Sequence, residues 1–196
     1  MKKLILDFDN TLVNTTKGMI KSMNPYIKDV AQKVDENKLA YYWSFADIFP
    51  STHLRYVDIL FNSKQLFDNM ELFPNVYNVL EDLHNKGVQI YICTIGSYKN
   101  IKLKLDWLHK NLPFVDVIPI AQNNIAMNKA IINMENSVFI DDNTDCLNSS
   151  NSDIKIVYRH DGYMTQRNNV WNGYTLTSWE DEDFIKLLYN LLEVND

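Results

Sequence analysis

Cysteine is nearly absent from this chain. Cys93 and Cys146 are the only two among 196 residues, too few for a disulfide framework or a four-cysteine zinc site. No stretch approaches the ~20 apolar residues that span a bilayer. The first apolar run breaks at Asp7, short of the ~7 to 15 apolar residues a signal peptide needs. Glycine and proline are scarce, five of each, which argues against a disordered composition. Basic blocks are also lacking: 19 Lys and Arg stand against 25 Asp and Glu, a net charge of -6. Clustered Lys and Arg supply most binding to a phosphate backbone, so no nucleic-acid polymer is expected as partner, while a single nucleotide stays open. These absences predict a soluble, reducing, cytoplasmic setting with no membrane partner, and they leave a homodimer open.

What is present is a large apolar fraction, 46%, enough for one domain or one domain carrying an insertion. Short apolar runs recur at 3–8, 88–94, 115–120, 137–142 and 155–159. Runs that are apolar on both faces suit parallel strands covered by helices. Helical spacing lies between them. Val76, Val79, Leu80 and Leu83 repeat at helix period before Gly87, and Ile101, Leu105 and Leu108 do so in the next segment. Ser178 and Asp181 fit a capping box that opens a last helix. The alternation predicts an α/β fold with right-handed crossovers. Residues 14–73 break the rhythm: they are rich in aromatics and show helical spacing at 16–38 and 52–62. They read as a helical insertion, with 1–13 and 74–196 forming the α/β core.

In open parallel sheets, ligands bind beyond the carboxyl ends of the strands. The first run ends in Asp7-Phe8-Asp9-Asn10-Thr11, the second in Thr94-Ile95-Gly96-Ser97 and the fourth in Asp141-Asp142-Asn143, with Lys129 on the segment before it. Taken singly, each has a plain structural reading: an Asx turn, a strand-end hydroxyl, a helix cap, a solvated lysine. Their arrival together at one sheet edge is harder to explain that way. A carboxylate buried without a partner costs several kcal/mol or takes up a proton, so this set calls for a cation or a task. Asp7, Asp141 and Asp142 offer hard oxygen ligands, which select Mg²⁺ over zinc.

The segments LILDFDNT, YICTIGS and VFIDDN, with Lys129, resemble the four ordered motifs of the haloacid dehalogenase superfamily of phosphohydrolases. The resemblance implies a Rossmann-like core with a small helical cap inserted after the first motif. It implies a Mg²⁺-dependent phosphomonoester hydrolase in which Asp7 attacks phosphorus to form an aspartyl-phosphate, while Asp9 protonates the leaving oxygen and then activates water. The metal would be held by Asp7, the Asp9 carbonyl, Asp142 directly and Asp141 through water. Thr11, Thr94, Ser97 and Lys129 would meet the substrate phosphate. Residues 71–108 are similar to the 5'(3')-deoxyribonucleotidases in particular, which stack a base on cap aromatics; Trp43, Phe45 and Phe49 are the candidates here, core packing being the alternative. That family has Ser-Pro after the motif threonine where this chain has Ile95-Gly96-Ser97, so a phosphate-binding hydroxyl is expected to move to Ser97. Lys102 or Lys104 could supply a second cation at the site, a solvated helix face being the expected place for either. A nucleoside monophosphate is the expected substrate, a sugar phosphate or polynucleotide end being the alternative, and a non-catalytic binding module the reading outside enzymes.

Overall fold

All five apolar runs form strands in the computed structural model, which describes residues 3–29, 33–35, 45–122, 129–162 and 170–194. They are β1 (Lys3–Leu6), β2 (Gln89–Gly96), β3 (Asp116–Ala121), β4 (Val138–Asp141) and β5 (Ile154–Tyr158). A sixth, β6 (Tyr174–Leu176), was not expected: three residues without an apolar run, placed by pairing with β5. Among the described residues the strands form one parallel sheet in the order β3-β2-β1-β4-β5-β6. The strand order reverses at β1, whose carboxyl end therefore opens between those of β2 and β4, the position where α/β sheets bind ligands.

The two-residue period of the strands divides the core. Leu4, Leu6, Ile92, Ile140 and Ile156 belong to one buried cluster and Ile5, Cys93, Phe139 and Val157 to the other. β1 is buried on both sides, which explains its unbroken apolar run. Among the described residues the α-helices between β1 and β2 are α1 (Thr15–Met23), α2 (Phe45–Ile48), α3 (Arg55–Phe61), α4 (Lys64–Asp68) and α5 (Val76–Asn85). Beyond β2 come α6 (Tyr98–Asn111), α7 (Thr144–Ser149) and α8 (Glu182–Leu191).

Local chemistry sets the ends of these elements. α5 stops at Gly87, whose φ of 83° suits glycine, with the Val88 N–H donating to the Leu83 carbonyl at 3.0 Å. α1 is shorter than its helical spacing suggests, because Pro25 opens a tight turn at Asn24–Tyr26. Residues 30–32 and 36–38 of that pattern lie outside the described residues. α8 begins after Asp181, not Ser178: the Phe184 N–H donates to Asp181 Oδ1 at 3.0 Å, while Ser178 Oγ accepts from the Glu180 N–H. The helical segment leaves and rejoins the sheet through one paired stem. The Asn14 N–H donates to the Glu71 carbonyl at 3.1 Å and the Phe73 N–H to the Leu12 carbonyl at 2.9 Å.

Candidate active site

β1 ends at Leu6, yet the Asp7 N–H still donates to the Ile140 carbonyl at 2.9 Å, so Asp7 is held by the sheet ladder. Its buried carboxylate meets Lys129, whose Nζ lies 2.5 Å from Asp7 Oδ1 and 2.6 Å from Asp141 Oδ2. Asp141 Oδ1 accepts from the Asn143 N–H at 2.7 Å. Carboxylate oxygens of Asp7, Asp141 and Asp142 lie within 4.8 Å of one another. Burial works against the Lys129 ammonium, but Asp141 and Asp7 outweigh it and hold its pKa well above the usual lysine value. Burial, with Asp7 beside it, pushes the Asp141 carboxyl up to about 6 in spite of Lys129. Three carboxylates gathered this closely, two of them sharing the Lys129 ammonium, form a site that a divalent cation fits. The donors are all hard oxygens, the set magnesium prefers.

Asp9 is held apart from this cluster. Its Oδ1 accepts from Thr15 Oγ1 at 2.7 Å and its Oδ2 from Lys104 Nζ. Lys104 also donates to Thr94 Oγ1 at 2.8 Å and the Ile95 carbonyl at 3.1 Å. The expectation of a solvated Lys104 is thus overturned: the side chain is 1% exposed, whereas Lys102 does face solvent. Ile101, Lys104 and Leu108 form the buried stripe of α6, so the helix period already placed Lys104 inward. Its charge hid it.

Thr11 and Ser97 join loops. Thr11 Oγ1 accepts the Asp142 N–H at 3.1 Å, and the Thr11 carbonyl accepts from Trp179 Nε1 at 3.0 Å. Ser97 caps α6 by accepting the Asn100 N–H at 3.2 Å, and its hydroxyl donates to Asn62 Oδ1 at the end of α3. Buried Asn100 in turn donates to the Phe61 carbonyl at 2.7 Å. A Cβ at Gly96 would stand 2.2 Å from Asn100 Oδ1 and displace this side chain. The Ile-Gly-Ser departure therefore ties the helical segment to the end of β2. Half-buried Phe45 stacks on Phe49 at 6.1 Å and meets the edge of Phe61 at 5.7 Å. Trp43 lies outside the described residues.

Residues 2–190 match the family of 5' nucleotidase, deoxy (pyrimidine), cytosolic type C proteins. The chain belongs to that family. It is accordingly a phosphoric monoester hydrolase with a haloacid dehalogenase fold. No curated protein matches it. Among solved structures, this nucleotidase-family chain is similar to a haloacid dehalogenase-like hydrolase from Streptococcus pneumoniae, at 17% identity and TM-score 0.61 over 97% of this chain and 98% of that one. A predicted phosphatase from Clostridium acetobutylicum aligns at 14% and 0.64 over 96% and 98%. A hydrolase from Deinococcus radiodurans, solved with phosphate and sodium, aligns at 13% and 0.65 over 97% and 96%. Among the described residues no helix is long and apolar enough to cross a membrane.

Proposed function

We propose that the protein is a magnesium-dependent nucleotidase that hydrolyses pyrimidine deoxynucleoside monophosphates through an aspartyl-phosphate on Asp7. One observation carries the reading: two carboxylates two residues apart are held by different partners. Asp7 faces the carboxylate cluster and Lys129, while Asp9 faces Thr15 and Lys104. Such separation lets one act as nucleophile and the other move protons. Neither thiol competes: burial pushes Cys93 up to about 12 and raises Cys146 as well, so both stay protonated at neutral pH.

In this reading Asp7 Oδ attacks phosphorus as the bond to the leaving oxygen breaks, and Asp9 gives that oxygen a proton. Asp9 then takes a proton from water as the water oxygen attacks phosphorus, breaking the Asp7 O–P bond and releasing phosphate. Lys129 orients Asp7 through the first step, and Thr94 offers its hydroxyl to a phosphoryl oxygen. Magnesium, held by Asp7, the Asp9 carbonyl and Asp142, with Asp141 behind it, would neutralise phosphate charge. Residues 14–73 act as the cap that excludes water and contacts the leaving group. The family description supports pyrimidine deoxynucleotides as substrates and a cytoplasmic location.

The test pairs a nucleoside monophosphate panel with trapping by labelled phosphate or beryllofluoride. Label on Asp7 alone, lost in Asp7→Asn, is expected. Label on Asp9, or turnover confined to sugar phosphates, would overturn the mechanism or the substrate respectively.

A further inference from the structure

Asn10 sits inside the first motif and has no part in the chemistry above. Its backbone adopts φ 53°, a region where glycine is at ease and asparagine only tolerated. The side chain explains why asparagine stands there. Asn10 Oδ1 accepts both the N–H and the hydroxyl of Thr16, each at 3.1 Å. The neighbouring Thr15 gives its hydroxyl to Asp9 Oδ1 at 2.7 Å and is itself buried. Two consecutive residues of the catalytic loop are thus clasped by the first two residues of α1, each across six positions of chain.

The clasp is directional. Thr15 can aim at Asp9 only while the first turn of α1 stays in register with the loop, and Asn10 supplies the bonds that hold this register through Thr16. Other first-turn donors have their own partners: Thr15 N–H donates to the Val13 carbonyl at 3.0 Å and Lys17 N–H to Asn14 Oδ1 at 2.9 Å. Beside the Thr15 bond to Asp9, the Asn10 bonds are therefore the side-chain link from this turn back to the loop. We infer that Asn10 is a positioning residue for Asp9, acting through Thr16 and Thr15 to hold the proton-transferring carboxylate where the leaving oxygen arrives. This rests on the role given to Asp9 above.

Glycine at position 10 isolates the claim, because it keeps the backbone conformation and removes only the acceptor. Asn10→Asp keeps an acceptor and tolerates the same φ. The readout is the ratio of kcat on a pyrimidine nucleoside monophosphate, whose leaving oxygen needs a proton, to kcat on p-nitrophenyl phosphate, whose leaving group does not. Asn10→Gly should lower that ratio about tenfold, a fraction of the ~10² to 10⁴ that general acid catalysis contributes. Asn10→Asp should restore it, and Thr15→Val should lower it in the same direction. Asp9→Asn is measured beside them. If Asp9→Asn leaves the ratio unchanged, the acid role of Asp9 fails and the inference with it. If Asp9→Asn lowers the ratio while Asn10→Gly leaves it unchanged, or depresses both substrates equally, only the inference is overturned.

Discussion

The Lys104 ammonium donates to Asp9 Oδ2 and, from the same nitrogen, to Thr94 Oγ1 at 2.8 Å. One buried cation thus joins the loop after β1 to the end of β2. Lys104→Met should cut kcat by about 10- to 10²-fold, since Asp9 loses an orienting partner needed for proton transfer. The stability loss should be only ~1 to 2 kcal/mol, because Asp9 is 26% exposed and water can replace the lysine. Steady-state kinetics with urea denaturation checks both numbers, and unchanged kcat would remove Lys104 from the site.

Lys129 should behave differently, because its partners are more deeply buried. The Asp141 side chain is 1% exposed and that of Asp7 10%. Removing the ammonium in Lys129→Met leaves two facing carboxylates without their cation, a change that costs ~3 to 5 kcal/mol in buried pairs. Added Mg²⁺ should raise the thermal midpoint of this variant more than that of the parent protein. Equal shifts would mean that loss of the Lys129 charge does not strengthen magnesium binding, and no shift in either protein would mean that magnesium does not enter the carboxylate cluster.

Metal removal separates the two adjacent aspartates. Dialysis against EDTA should abolish turnover, and added Mg²⁺ should restore it. Asp142→Ala should raise the Mg²⁺ concentration needed for half-maximal rate. Asp141→Ala should chiefly destabilise the fold, since Asp141 shares Lys129 with Asp7 and accepts the Asn143 N–H. Titrating rate and thermal midpoint against Mg²⁺ in both variants distinguishes these outcomes, and the reverse order would exchange the two roles.

The sheet was legible chiefly because its central strands β1 and β4 are buried on both faces and so carry unbroken apolar runs, as Leu4-Ile5-Leu6 does. The carboxylate edge was legible because Asp in such a run needs a reason. What escaped depended on tertiary contacts. Tyr174-Thr175-Leu176 becomes a strand only because β5 offers a partner, and three residues carry too little periodicity to announce it. Asp181 and Ser178 are both competent caps, and the choice falls to the residue whose oxygen meets the Phe184 N–H. The Ser97 to Asn62 bond spans 35 positions, beyond any local pattern. Lys104 was within reach: its place between Ile101 and Leu108 marked it as inward, and only its charge spoke otherwise.

His160 predicts a pH dependence of stability. Its ring packs on Phe73 at 4.7 Å, beside the stem that joins the helical segment to the sheet, and the Tyr158 hydroxyl lies 3.4 Å from Nδ1. Burial raises the pKa of the Tyr158 phenol, so that phenol stays protonated and can donate to a neutral imidazole; a protonated imidazole has no acceptor to offer it. Burial also lowers the His160 pKa below the ordinary 6.5, with Asp161 opposing it in part. The folded state therefore binds this proton less readily than the unfolded chain. Where both states are neutral, above 6.5, the group's stability is fully present; it declines as pH falls from there through the lower folded pKa. His160→Phe keeps an aromatic ring against Phe73 and removes the titration. Thermal midpoints measured from pH 8 to pH 5 should fall more steeply for the parent protein than for His160→Phe, with the divergence beginning near the ordinary histidine pKa of ~6.5. Parallel curves across that range would show that this imidazole titrates equally in both states and that its contact with Tyr158 does not depend on its charge.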